Sequence, residues 1–172
     1  MTQQIEARPS SDLVVRAANL ARNSTLRSIN LRRLNVEMFS EPPDEGIDAT
    51  VETEFSQEHE LRRKEDENEL DVQVNLSVRL SHGGEGLLRI SCTFKLQYSL
   101  PANMPEAAAA DVPAFAATNC MVHVWPYYRE LVQSTAWRMG LPPFPLPLFR
   151  VTGSPPKKSE APIGPPGPVP ST

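Results

Sequence analysis

Cysteine is scarce, basic charge is not in excess and no apolar run is long, and each shortage removes a class of protein. Among 172 residues only Cys92 and Cys120 are cysteine. Both stand in apolar surroundings without Cys-x-x-Cys or Cys/His spacing, which argues against a disulfide framework or a zinc site and suits a reducing compartment. Lys and Arg number 17 against 21 Asp and Glu, a formal charge of −4. That balance lacks the basic excess that holds a protein to nucleic acid or to an anionic membrane. No apolar stretch approaches the ~18 to 20 residues that cross a bilayer as a helix. The opening Met1-Thr2-Gln3-Gln4-Ile5-Glu6 has neither the basic nor the apolar region of an export signal. A cytoplasmic chain without membrane insertion is therefore expected, long enough for one domain with tails.

Proline is abundant instead: 18 residues, about twice the ordinary ~5%. Seven of them fall between Gly153 and Thr172, where almost no side chain can be buried. That composition predicts a disordered, partly polyproline-II tail over 153–172. Residues 1–10 are likewise expected to be disordered, which leaves 11–152 as the folded domain.

Residues 11–22 open with Ser11-Asp12 capping chemistry and set Leu13, Ala17, Leu20 and Ala21 at helical spacing, predicting a short amphipathic helix. From Leu26 to Met38 the period changes to two. Ile29 and Leu31 share one phase, and Leu34, Val36 and Met38 take the other after Arg32-Arg33, the slip of a bulged strand. Phe39 to Gly46, with Pro42-Pro43 and Asp44, is loop chemistry. Ile47, Ala49, Val51, Thr53 and Phe55 then alternate with polar residues. The run 57–69, with nine charged residues in thirteen, reads as a solvated connection.

Two further runs alternate without an error, Leu70 to Leu80 and Leu88 to Leu100, separated by His82-Gly83-Gly84-Glu85-Gly86. They predict a long antiparallel hairpin with one apolar face. Ala114 to Met139 reads as one long helix, with Pro126 as its candidate kink and Gly140 as its stop. Apolar residues cover more than half of its circumference, so burial on two sides is expected. Leu141 to Phe149 is apolar but broken by prolines, and must lie extended on something.

No catalytic constellation emerges. Ser81 to Gly86 has glycines but neither the Lys-Ser/Thr of a phosphate loop nor a following helix. His59, His82 and His123 lack a metal-ligand partner at helical spacing. Cys120 has no sequence neighbour that favours a thiolate. Glu65-Asp66-Glu67 lacks the alternation and glycine of a calcium loop. The expectation is a protein that is no enzyme and uses no cofactor or metal. Its excess is apolar area: one long and one short helix cannot cover a four-stranded sheet with a wholly apolar face, and uncovered faces mark interfaces.

Val124-Trp125-Pro126-Tyr127-Tyr128-Arg129-Glu130-Leu131-Val132, followed by Gly140 and the Pro-rich segment Leu141 to Phe149, resembles the C-terminal half of the SecB chaperone family. There a helix carries an aromatic-Pro-Tyr-x-Arg-Glu core, stops at Gly and passes into an extended apolar segment. Cys92 to Leu100 is similar to that family's last strand, and Leu26 to Leu31 to its first. The resemblance spans Leu26 to Phe149. It implies an α+β, SecB-like fold: a four-stranded antiparallel sheet with a long C-terminal helix, here with an extra short N-terminal helix. It implies a homotetramer arranged as a dimer of dimers. The implied activity is ATP-independent holding of unfolded or nascent polypeptides, preproteins or an antitoxin, on hydrophobic grooves.

On that reading the client-lining groups are Met38 and Phe39, Trp125, Tyr128 and Val132, and Phe144, Leu146 and Phe149. Trp125 and Val132 are equally open to a place in the tetramer core. The acidic positions by which export members of the family dock the SecA motor fall here on Ser28, Arg32 and Ser91, which speaks against motor docking. The N-terminal helix and Arg32-Arg33 look more like the SecB-like chaperones of toxin-antitoxin-chaperone modules. Two other classes fit the residues. One is a small apolar-ligand carrier of the helix-grip type, its pocket between sheet and helix; the other is a scaffold acting through the proline-rich tail.

Overall fold

The computed structural model describes residues 5–7, 11–41, 49–63, 65–141, 146 and 149–151. In chain order the elements are β1 (Ile5–Ala7), α1 (Ser11–Ala21), β2 (Thr25–Met38), β3 (Ala49–Arg62), β4 (Glu67–His82), β5 (Glu85–Pro101), α2 (Glu106–Ala109), α3 (Val112–Phe115), a π-helical turn (Ala116–Cys120), α4 (Met121–Arg138) and β6 (Phe149–Val151). Four strands form one antiparallel sheet in the order β2-β5-β4-β3.

The expected hairpin is β4 with β5, in register from His82↔Glu85 to Glu67↔Pro101. Its turn is Gly83-Gly84, both with positive φ (59° and 87°), a conformation that costs glycine nothing. Alternate residues from Leu70 to Leu80 and from Leu88 to Leu100 are buried on one face, so period-two patterning translates directly into the core. The phase slip in β2 is a bulge, with the register shifting between Leu31 and Arg33 so that Arg32 is the extra residue.

The charged run 57–69 is not a loop through most of its length. β3 continues to Arg62, and its ladder with β4 runs to Arg62↔Glu69. The reason is that alternation persists beneath the charge: Gln57, His59 and Leu61 stay in phase with Phe55, while Glu58 and Glu60 take the wet face. Arg62 is then anchored 2.9 Å from Asp71 on the neighbouring strand.

The long helix expected over 114–139 is present, with a π turn before Met121 that the spacing did not indicate; Pro126 lies exposed within α4. With its amide set to satisfy both groups, Gln57 of β3 donates to the Ala116 carbonyl (2.7 Å) and accepts from the Ala117 N–H (3.1 Å). A π turn spreads the backbone and takes groups out of the α ladder, and this side chain holds them. α4 ends as expected at Gly140 (φ 79°). Gly140 N–H donates to Trp137 O and Leu141 N–H to Ala136 O, both at 3.1 Å, which is a Schellman cap.

The helical layer lies on β4 and β5. Tyr98 of β5 meets Phe115 edge to face (centroids 5.0 Å), and α4 sends in Met121, Val124, Trp125, Tyr128, Val132 and Ala136. α1 is fastened to this layer by Arg16, whose Nε donates to Asp111 Oδ1 and whose Nη2 donates to the Ala110 carbonyl, each at 2.6 Å. Within the segment 1–10, expected to be disordered, Ile5–Ala7 forms β1 and pairs in parallel with β6 as a separate two-stranded sheet. The tail 153–172 lies outside the described residues.

Candidate functional site: an uncovered apolar strand

Cross-strand partners in an antiparallel pair share a face of the sheet. Leu26, Ile29, Leu31, Leu34, Val36 and Met38 of β2 stand opposite Tyr98, Leu96, Phe94, Cys92, Ile90 and Leu88 of β5. The six on β5 are core. Their six partners belong to the same apolar face, one strand further out: Ile29 and Val36 are half-buried against the core, and the other four lie where the helical layer does not cover them. Leu31 is 43% exposed and Leu34 42%, and Leu26 and Met38 are exposed as well.

The strip continues into Phe39, 51% exposed. Its N–H donates to Leu87 O (2.8 Å) and its ring lies over Gly86, where a Cβ would sit 3.4 Å from the ring edge. Ser40 Oγ donates to the Gly86 carbonyl at 3.3 Å and holds the turn in place. The glycine therefore seats an aromatic side chain at the end of the strip. α4 exposes further apolar groups on its outward side: Val122, Tyr127 and Trp137.

The residues expected to line a client groove divide sharply. Met38 and Phe39 are on the exposed strip. Trp125, Tyr128 and Val132 are corrected to the interior of the single chain. They lie on the face of α4 turned to the sheet, with Trp125 and Tyr128 rings 5.4 Å apart, and they have no surface to offer a client. Burial also pushes the Tyr128 phenol far above its ordinary range. Leu146 is buried too. Phe144 lies outside the described residues, and Phe149 opens β6. Leu26, Leu31 and Leu34 join them on the strip, and the sequence signal for these three is an alternating strand whose partner strand is wholly apolar.

The opposite face of the sheet is polar. Ser28 donates to Gln97 Oε1 (3.0 Å) and Ser77 meets Ser91 (3.1 Å). Asp71 lies beneath Lys95 (2.8 Å) and Arg62 (2.9 Å) and accepts from Gln97 Nε2 (3.1 Å). Burial raises its carboxyl, but the hydrogen bonds from Lys95 and Gln97 and the two cationic charges outweigh that and hold it below the usual range. A shallow groove of about 350 Å³ crosses this face, lined by Arg33, Glu54, Ser56, Asn75, Ser77, Ser91 and Thr93 among others; it sets hydroxyls together without a histidine or lysine to activate them. Burial pushes the thiols of Cys92 and Cys120 up to about 12, so both are inert packing groups. Among the described residues no cluster of His, Cys, Asp and Glu could hold a metal ion, and no helix is long and apolar enough to cross a membrane.

No protein-family model matches the chain, and no curated protein is similar to it in sequence. Among solved structures it is similar to the SecB-like chaperone of Mycobacterium tuberculosis in complex with a ChAD peptide from the HigA1 antitoxin. The match has a TM-score of 0.64 at 22% identity and covers 80% of this chain and 98% of that one. The likeness shows the fold: four antiparallel strands, a long C-terminal helix and a short N-terminal helix in a SecB-like α+β arrangement.

Proposed function

We propose that this chain is an ATP-independent holdase of SecB type, which keeps unfolded polypeptide soluble by covering its apolar side chains. The observation that carries this reading is the exposure of Leu26, Leu31, Leu34 and Met38 on β2 and of Phe39 beside them, apolar groups on the core face of the sheet beyond the helical layer. An extended client meets such a strip with every second side chain. Each aliphatic group so covered contributes on the order of 1 kcal/mol, enough in sum for reversible capture. The fold neighbour was solved with an antitoxin peptide bound. That supports a polypeptide client, and within the proposal an antitoxin stands ahead of export preproteins because Ser28, Arg32 and Ser91 offer a SecA-type motor no acid. Cytoplasmic action on nascent or unfolded chains belongs to the same proposal.

A helix-grip carrier fits less well. The space between sheet and α4, where its ligand would sit, is filled by Tyr98, Phe115, Met121 and Tyr128, all fully buried. The outward face of α4, with Val122, Tyr127 and Trp137, supports self-association, and we include a homotetramer, a dimer of dimers, in the proposal.

The test is aggregation suppression. Substoichiometric amounts of the purified chain should reduce light scattering from unrelated proteins diluted out of denaturant, without nucleotide. Light scattering coupled to chromatography should give a mass about four times 19.1 kDa. Stoichiometric binding of small apolar dyes by a 19.1 kDa monomer with no effect on aggregation would favour the carrier instead.

A further inference from the structure

The small sheet of β1 and β6 stands apart from the main one. Its register is Ile5↔Phe149, Glu6↔Arg150 and Ala7↔Val151, all parallel. β6 terminates the Pro-rich apolar segment that leaves α4 through buried Leu141 and Leu146, and it packs against α4. β1 is joined to α1 by residues 8–10 alone, and α1 is pinned by Arg16 to Asp111.

Three parallel pairs make a weak sheet. Parallel ladders are slightly less stable per residue than antiparallel ones, and an isolated two-stranded sheet is marginal in water. β1 can therefore leave without disturbing α1 or the main sheet. When it does, β6 presents unpaired N–H and C=O groups along an extended strand, a template for strand addition by any extended chain. The short tether to α1 returns β1 to that edge at high effective concentration.

We propose that β1 is a built-in competitor for clients: it occupies the edge of β6 in cis and must vacate it before an extended client segment can pair there. This rests on the holdase reading and adds regulation to it. Apparent client affinity is reduced by the fraction of time the edge is free, so weak or short segments are refused and long unfolded ones displace β1.

The experiment uses the full chain, a variant lacking residues 1–8, and Glu6→Pro, which sets a proline ring in the middle of the three-residue strand without shortening the chain. The probe is fluorophore-labelled, carboxymethylated α-lactalbumin, which is permanently unfolded. Both variants should bind it about three- to tenfold more tightly than the full chain, as expected when the edge is free about a tenth to a third of the time, with an unchanged melting temperature. A synthetic peptide of residues 1–10 should reverse the gain when added to the truncated variant. Hydrogen exchange at Phe149–Val151 should rise in Glu6→Pro and fall again on client binding, which keeps the test intact if the truncated variant fails to fold. Equal or weaker binding by both variants, with the full chain still binding, overturns the competitor role and leaves the holdase reading standing. Absence of binding by all three chains overturns the holdase reading, and this proposal with it.

Discussion

β2 and β5 are neighbours in one ladder, carry the same apolar alternation on the same face, and meet opposite fates. Phe94 is in the core while its partner Leu31 is 43% exposed. The difference lies in where the helical layer stops. It is anchored on the β3 side by the Gln57 amide at the π turn, and its bulk is spent over β4 and β5. Apolar patterning thus marks a face that avoids water without saying what covers it. In β5 the cover is the chain's own helix, and for Leu26, Leu31, Leu34 and Met38 of β2 it must come from elsewhere.

The largest expected effect sharpens that contrast directly. Phe94→Ala should cost about 3–5 kcal/mol in urea denaturation, because it removes a buried ring and leaves a cavity. Leu31→Ala, one strand away, should cost under about 1 kcal/mol, since that side chain keeps much of its water contact. Equal losses would show that β2 is core after all.

The reverse contrast is functional. Replacing Leu34 and Phe39 together by serine should weaken aggregation suppression severalfold while the melting temperature stays within a few degrees of wild type. Full protection by that double variant would remove β2 and its loop from the client surface.

A third test concerns the covered side alone. His123 is half-buried, its Nδ1 2.9 Å from the Tyr98 hydroxyl, an arrangement that suits a neutral ring accepting from the phenol. Burial lowers its pKa below 6.5. The unfolded chain then binds more protons than the folded one between the lowered value and 6.5, so His123 makes stability fall as pH drops through that window. His123→Gln should flatten the difference between melting temperatures measured at pH 7.5 and pH 5.5. An unaltered pH slope would show that His123 does not contribute.

The smallest effect belongs to the rim of the exposed strand. Arg27 of β2 lies 2.8 Å from Glu67, with 60% and 40% of the two side chains exposed. Arg27→Gln should change stability by under about 1 kcal/mol, and less at high salt, as checked by denaturation at two ionic strengths.

Several of these features could be read in the residues. The β4–β5 hairpin, its glycine turn, the bulge at Arg32 and the α4 stop at Gly140 each follow from short-range rules, and the structure places them as expected. Charge density hid the second half of β3, because nine charged residues in thirteen read as loop when only their phase shows a strand. Trp125, Tyr128 and Val132 mark the limit of helical patterning: a helix apolar over half its circumference has two sides to assign, and periodicity does not say which of them the chain itself covers. The π turn and the β1–β6 pair left no sequence signal: the first depends on an amide reaching across from β3, the second on backbone groups of segments more than a hundred residues apart.

The sequence by itself determined which side chains avoid water and where strands and helix turn or stop, because periods of two and 3.6 and the backbone freedom of glycine are local properties. Only the tertiary structure decided which apolar residues are covered. A helix covers a fixed width of sheet, and its position over β4 and β5 comes from long-range contacts: Gln57 to the π turn, Arg16 to Asp111, Tyr98 to Phe115. Those contacts leave Leu26, Leu31, Leu34 and Met38 of β2 exposed, and the site follows from that placement.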